Sequence, residues 1–190
     1  MIKYKYMENY FKNENNSAIR MKVELQKKIT FAKEHALSQE EYEQGMKNKF
    51  ELRDIENKQD LTTDEIKYLV SLQHKINEAT VEAENLFEFR HAMEILGFKH
   101  ETIIYALSHE NAHGNKAEQL GATHIGYRFI LVNTPEGLGV QPQTSIYIPD
   151  ELDEKVKNNT LVQIIKAPEE YGGEMSEGDL RDLDYLNSNK

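Results

Sequence analysis

Gly121-Ala122-Thr123-His124-Ile125-Gly126-Tyr127-Arg128-Phe129-Ile130-Leu131-Val132-Asn133-Thr134-Pro135-Glu136-Gly137 is the stretch where the chain changes its apolar period. Upstream of Gly121, apolar residues recur every three or four positions, as on one face of a helix. Downstream, Gly126–Val132 reads as a strand and Asn133–Gly137 as a turn punctuated by Pro and Gly. Thr144–Ile148 reads as a second strand ended by Pro149, Asp150–Lys157 as a short helix, and Leu161–Ile165 as a third strand. Helices first and strands after give an α+β fold. The expected architecture is long N-terminal helices, or a helical hairpin, packed with a small antiparallel sheet in the C-terminal third.

Working back from Gly121, three further helices precede the one that it closes. Residues 18–37 carry Met21, Leu25, Ile29 and Ala32 at helical spacing. Ser38-Gln39-Glu40-Glu41 has the pattern of a capping box and starts a second helix running to about Asn57. That helix is charged almost all round, with Tyr42, Met46 and Phe50 as a thin stripe. Thr62 and Glu65 form another capping box, and the pattern behind them predicts one helix continuing to Leu96, stopped by Gly97. Its apolar stripe (Ile66, Leu69, Leu72, Ile76) broadens from Val81 onward, which places the core there. The expected organisation is a flexible arm at 1–17, a charged helical hairpin or stalk at 18–60, an α+β core at 61–168 and an acidic tail at 169–190. In that tail a short helix near Leu180 and an absence of fixed structure are equally compatible with the composition.

The composition narrows the function. The 190 residues carry a formal net charge of -10, which argues against a nucleic-acid binder needing a basic face for phosphates. With no cysteine, disulfides and thiolate zinc sites are excluded. No apolar run approaches the roughly 20 residues of a membrane span. The N-terminal residues lack the apolar segment of a signal peptide, so a cytoplasmic protein is expected.

The chemistry is concentrated just ahead of Gly121. His109-Glu110-Asn111-Ala112-His113 spells H-E-x-x-H, in which two histidines one turn apart hold a metal and the glutamate handles a proton. On a helical wheel Glu110 shares its face with Ile103, Ala106, Leu107, Gly114 and Ala117. His113 lies beside it and His109 at the edge. Ionisable groups on an apolar face cost about 2–7 kcal/mol each if left unpaired, and a bound metal offsets that cost. Over Ala106–Asn115 the sequence resembles the zincin metallopeptidases. The resemblance implies Zn2+ held by His109 and His113, Glu110 as the catalytic general base, and a peptide or protein substrate laid along a sheet edge, for which Tyr127–Val132 is the candidate. Asn115 departs from the pattern, where a hydrophobic residue is usual. Lys116 and Gln119 stand where the metzincin branch has Gly and His, and no downstream helix supplies the glutamate of the gluzincin branch.

A third metal ligand must therefore come from elsewhere, and His124 ranks slightly ahead of Glu88. Two other readings stand beside zinc hydrolysis. Glu88-Phe89-Arg90-His91 and Glu110-Asn111-Ala112-His113 are both E-x-x-H, the half-motif of di-iron helices, so Fe is the alternative metal. Alternatively, His109, Glu110 and His113 form a hydrogen-bonded cluster with Tyr105 and Asn111, in an acidic helical interaction protein that meets its protein partner through the charged helices.

Overall fold

The computed structural model describes residues 21–49, 52 and 61–188. The arm expected at 1–17, and residues 18–20, 50–51 and 53–60 of the hairpin or stalk expected at 18–60, lie outside these residues. The fold is α+β: helices and a four-stranded mixed sheet. The chain divides into two compact units, Met1–Val81 with Leu131–Gly137, and Glu82–Ile130 with Leu138–Lys190.

In the first unit, residues 21–34 are helical (α1) and bury Leu25, Ile29 and Ala32, the spacing read from the sequence. Strand β1 (Leu37–Ser38) follows and pairs in parallel with Val132 and Asn133. Ser38 then caps α2 (Gln39–Lys47): its hydroxyl accepts from Glu41 N while the Glu41 carboxylate accepts from Ser38 N. Thr62 and Glu65 make the same reciprocal cap at the start of α3 (Thr63–Glu78), which buries Leu69, Leu72 and Ile76. α2 packs on α3, where Gly45 leaves room for Ile76, and Lys75 Nζ donates to Glu41 Oε1.

One expected element is corrected here. The single helix read from Leu61 to Leu96 is two helices with a strand between them: α3 ends at Ala79, and Thr80–Ala83 is strand β2. The alternation of burial along β2, with Val81 and Ala83 inside, replaces the helical stripe. Val81 is β-branched, and pairing of this segment with a neighbouring strand overrides the weak helical continuity.

In the second unit, Asn85 caps α4 (Leu86–Leu96), its side chain accepting from Phe87 N and Glu88 N, and Gly97 ends it with φ at 86°. α5 (His100–Gln119) follows and packs on α4. β3 (Thr123–Thr134) and β4 (Gly137–Tyr147) form a hairpin; β3 is longer at both ends than the expected Gly126–Val132, and β4 starts seven residues before the expected Thr144 and ends at Tyr147. Arg128 Nε donates to Gln143 Oε1 across it. Phe89, fully buried, meets Phe129 edge-on with ring centroids 5.8 Å apart and Tyr127 at 5.4 Å.

The strand expected at Leu161–Ile165 is instead the end of α6 (Glu154–Ile165), whose N-cap Asp153 accepts from Lys155 N. A five-residue segment with four apolar positions fits either period; Thr160 and Ile164, one turn apart, are the buried pair. The sheet is also mixed rather than antiparallel, because β1 runs parallel to β3. Short α7 (Ala167–Glu170) and α8 (Glu177–Ser188) complete the chain, so the acidic tail holds a three-turn helix.

Gly126 has φ at 155°, and a Cβ there would stand 2.9 Å from the Ala83 carbonyl oxygen. Gly126→Ala is expected to cost about 1–3 kcal/mol through backbone strain, with the contact adding to it. An unchanged urea midpoint would refute this close approach of β3 to the chain at Ala83.

Candidate metal centre

α5 presents its chemistry inward. His109, Glu110 and His113 are 9 %, 4 % and 7 % exposed, on the face that also buries Ile103, Ala106, Gly114 and Ala117. The helix is fixed on both sides. Ala117 packs with Ala122 and Ile164, and Lys116 Nζ donates to both carboxylate oxygens of Glu170 at 2.9 and 2.7 Å. Gln119 donates to the Tyr171 hydroxyl.

His113 Nδ1 lies 2.8 Å from the carbonyl oxygen of Ile164, in the last turn of α6. A carbonyl can only accept, so Nδ1 carries the hydrogen, and in the neutral ring Nε2 presents its lone pair. That Nε2 faces His109 Nε2 at 3.2 Å and Asp179 Oδ1 at 3.4 Å. His109 Nε2 stands 3.1 Å from Asp179 Oδ2. Donor atoms of His109, His113 and Asp179 thus all lie within 4.8 Å of one another, the one such group of three among the described residues.

Two observations test whether a cation suits this cluster. A tetrahedral ion with donors about 2.0–2.1 Å away has donor–donor edges of about 3.3–3.4 Å, close to the 3.2 Å between the two Nε2 atoms and to the 3.1 and 3.4 Å from them to the two separate oxygens of Asp179. In addition, with a neutral His113 ring its Nε2 lone pair faces Asp179 Oδ1 at 3.4 Å, a repulsive contact that a cation at this point, proton or metal, removes. Two imidazoles and a carboxylate suit zinc among other divalent metals, and the Ile164 carbonyl fixes the tautomer that ligation requires. The residues fit the group.

Without a metal, a proton does part of the same work. Burial works against a charged His109, but its hydrogen bond to Asp179, the nearby Glu110 and Asp179 charges and the Glu174 backbone carbonyl outweigh it and raise its pKa. Burial pushes Asp179 up, yet His109, His113 and Ser176 outweigh it and hold the carboxyl below its ordinary value. A raised histidine stabilises the fold fully below its unfolded pKa and loses that contribution as pH rises through the folded value. A depressed aspartate stabilises above its unfolded pKa and loses the contribution as pH falls through the folded value. The metal-free pair is therefore expected to stabilise most between about pH 4 and pH 6.5, the ordinary values of the two groups. Melting curves of metal-free wild type and Asp179→Asn should differ most in that window. A constant difference from pH 3 to 9 would count against the ion pair.

Glu110 is organised differently. Burial raises its pKa, opposed by His113, the Thr144 hydrogen bond and His109. Thr144 Oγ1 is 2.8 Å from both Glu110 Oε2 and the Glu110 carbonyl oxygen. One hydroxyl hydrogen cannot serve two acceptors fully. Thr144 divides its single hydrogen between the carboxylate and the carbonyl, so the Glu110 carboxylate is less fully compensated for its burial than one with a donor to itself. The geometry and the raised pKa agree.

The other expected residues take other places. His124 is outside the cluster: its ring lies edge-on to Tyr127, and its Nε2 is 3.2 Å from the Gly126 carbonyl. A Cβ on Gly114 would come within 3.1 Å of that ring, so the residue after His113 must be small. Glu88 accepts from Glu84 N at the start of α4, and His91 meets Glu94 at 3.3 Å. Neither joins Glu110 and His113 in a second carboxylate centre among the described residues. Tyr105 stacks on His109 with centroids 6.0 Å apart, and Asn111 accepts from the Tyr127 hydroxyl rather than from a histidine. The candidate edge Tyr127–Val132 lies within the strand to which β1, β2 and β4 all pair, so it is not an edge.

Asp179 was missed by the sequence reading, although its signal is present in Ser176-Glu177-Gly178-Asp179. This is a capping pattern ahead of Leu180, Leu183 and Leu186. Ser176 Oγ accepts from Asp179 N at 3.1 Å, and Asp179 Oδ2 accepts from Ser176 N at 2.8 Å. No family model, curated protein or solved structure matches this chain.

Proposed function

We propose that the protein is a zinc-dependent hydrolase acting on peptide bonds, with His109, His113 and Asp179 as ligands and Glu110 as general base. The observation that carries this reading is the convergence of the two Nε2 atoms and the Asp179 carboxylate, with the His113 lone pair aimed into the group. Zinc in such a donor set polarises a carbonyl and makes water acidic enough to lose a proton near neutral pH. Glu110 takes that proton as the C–O bond forms and delivers it to the nitrogen as the C–N bond breaks. Its upward shift moves it from the ordinary carboxylate range toward neutrality, where one group can both accept and return a proton. Thr144 holds the carboxyl against its own helix during the exchange.

Support for an extended substrate comes from β4, which among the described residues pairs with β3 alone and carries Thr144. A peptide strand added to its outer edge would lie beside the strand that holds Glu110. The N-terminal helices are read as a helical hairpin for protein contact: Val23, Phe31, Tyr68 and Val70 are each about half exposed. A second reading, a structural metal centre in an interaction protein, draws on one observation. The side chains of His109, His113 and Asp179 are 8 %, 9 % and 14 % exposed, closed like a structural zinc site. Casein hydrolysis by the purified chain separates the two. Activity lost on chelation and restored by zinc supports the hydrolase; stoichiometric zinc without hydrolysis leaves the structural centre.

A further inference from the structure

The carboxylate that completes the cluster also caps the helix that carries it. Asp179 Oδ2 accepts from the backbone N and the hydroxyl of Ser176, both at 2.8 Å, and from His109 Nε2. Between α7 and α8 the residues 173–176 have no regular structure, and Gly172 has φ at 80°. The buried apolar residues of α8 are Leu183 and Leu186, Leu180 is 48 % exposed, and Arg181, Asp182, Tyr185 and Asn187 make further interactions. Ordering a 12-residue helix and its connection costs conformational entropy that the two buried leucines offset only in part. Its first turn is acidic, with Glu177 and Asp179, and its last turn carries no basic residue.

We propose that residues 172–188 are a metal-operated latch: capture of a divalent cation by His109, His113 and Asp179 and docking of α8 are one event, with Ser176 as the positioning residue for Asp179. This rests on reading the cluster as a metal centre and adds a conformational consequence to it. An ion that needs all three donors binds only the docked state, and so stabilises it by mass action. With α8 released, two histidines one turn apart remain, a weak site whose apparent affinity falls with the undocked fraction. Ser176 sets how often Asp179 points the right way, because both its backbone N–H and its hydroxyl donate to the same carboxylate oxygen.

The test uses the full chain, stripped with chelator and then given zinc alone. Amide hydrogen exchange over 172–188 and zinc affinity against a chromogenic chelator are measured for wild type, Asp179→Asn, Ser176→Ala and Ser176→Thr. Exchange across α4 serves as the control that each variant is folded. Zinc is expected to slow exchange over 177–188 in wild type and not in Asp179→Asn. Ser176→Ala is expected to weaken zinc binding about 10–100-fold, with Ser176→Thr restoring it. Bound zinc with unchanged exchange over 177–188 overturns the latch and leaves the hydrolase to be judged by casein, whereas equal zinc affinity in Asp179→Asn overturns both the latch and the place of Asp179 among the ligands. A zinc-dependent latch without hydrolysis keeps this inference and overturns the hydrolase. Failure of wild type to bind zinc overturns both.

Discussion

Glu110→Gln is expected to remove about 10²–10⁴-fold of the hydrolytic rate, to leave zinc binding intact, and to raise thermal stability at pH 7 and above. Each part has its own cause. The amide keeps the size of the carboxyl and can still accept from Thr144, so α5 and the hairpin keep their register. It cannot take a proton, so the step assigned to Glu110 is lost. The stability gain follows from the raised pKa of a group only 4 % exposed. An acid whose folded pKa lies above its unfolded value binds more protons when folded, so stability falls as pH climbs from the ordinary value through the folded one. Glutamine has no proton to lose and escapes that decline. The measurement is casein hydrolysis beside melting curves from pH 4 to 9. Full activity in the variant would remove Glu110 from the mechanism. A melting difference that does not grow with pH would contradict the upward shift of the buried carboxyl.

His113→Ala is expected to abolish zinc-dependent stabilisation. At a zinc concentration about a thousand times Kd, a ligand bound only by the folded state adds about 4 kcal/mol. For a chain of this length that is about 10 °C in Tm. His113 supplies one donor directly, and its Nδ1–H links the cluster to the end of α6 through Ile164. Its loss removes a ligand and leaves that carbonyl without this partner. His109→Ala should remove the zinc response too, while sparing the α6 contact, so its metal-free Tm should fall less. A zinc-induced rise in the His113→Ala variant equal to that of wild type would place the metal elsewhere.

Local signals carried much of the fold. Ser38 with Glu41 and Thr62 with Glu65 mark helix starts in the sequence because reciprocal capping needs only four consecutive residues. The period change after Gly121 marks the hairpin for the same reason. What escaped was decided by distant partners. Thr80–Ala83 continues a helical stripe until a strand pairs with it, and Leu161–Ile165 looks like a strand until Asp153 is recognised as a cap. The parallel contact of β1 joins residues 95 apart in sequence, Leu37 with Val132, which no local pattern encodes.

The site was legible to a similar degree. The spacing of His109, Glu110 and His113 put them on one buried face, and the structure keeps them there. The third group was expected at His124 or Glu88, yet His124 meets Tyr127 and the Gly126 carbonyl, and Glu88 accepts from Glu84 N. Asp179 lies 66 residues beyond His113, in a segment whose acidity masked a capping box. A long excursion through the hairpin and α6 brings it back, and only tertiary structure reveals that return.

Elemental analysis of the untagged chain, purified from zinc-supplemented medium and gel-filtered into metal-free buffer, tests the central claim most directly. About one zinc per chain in wild type, and almost none in the His109→Ala, His113→Ala double variant, is expected of a three-ligand centre. Wild type carrying only a small fraction of a zinc per chain, or a double variant with the wild-type content, would contradict it.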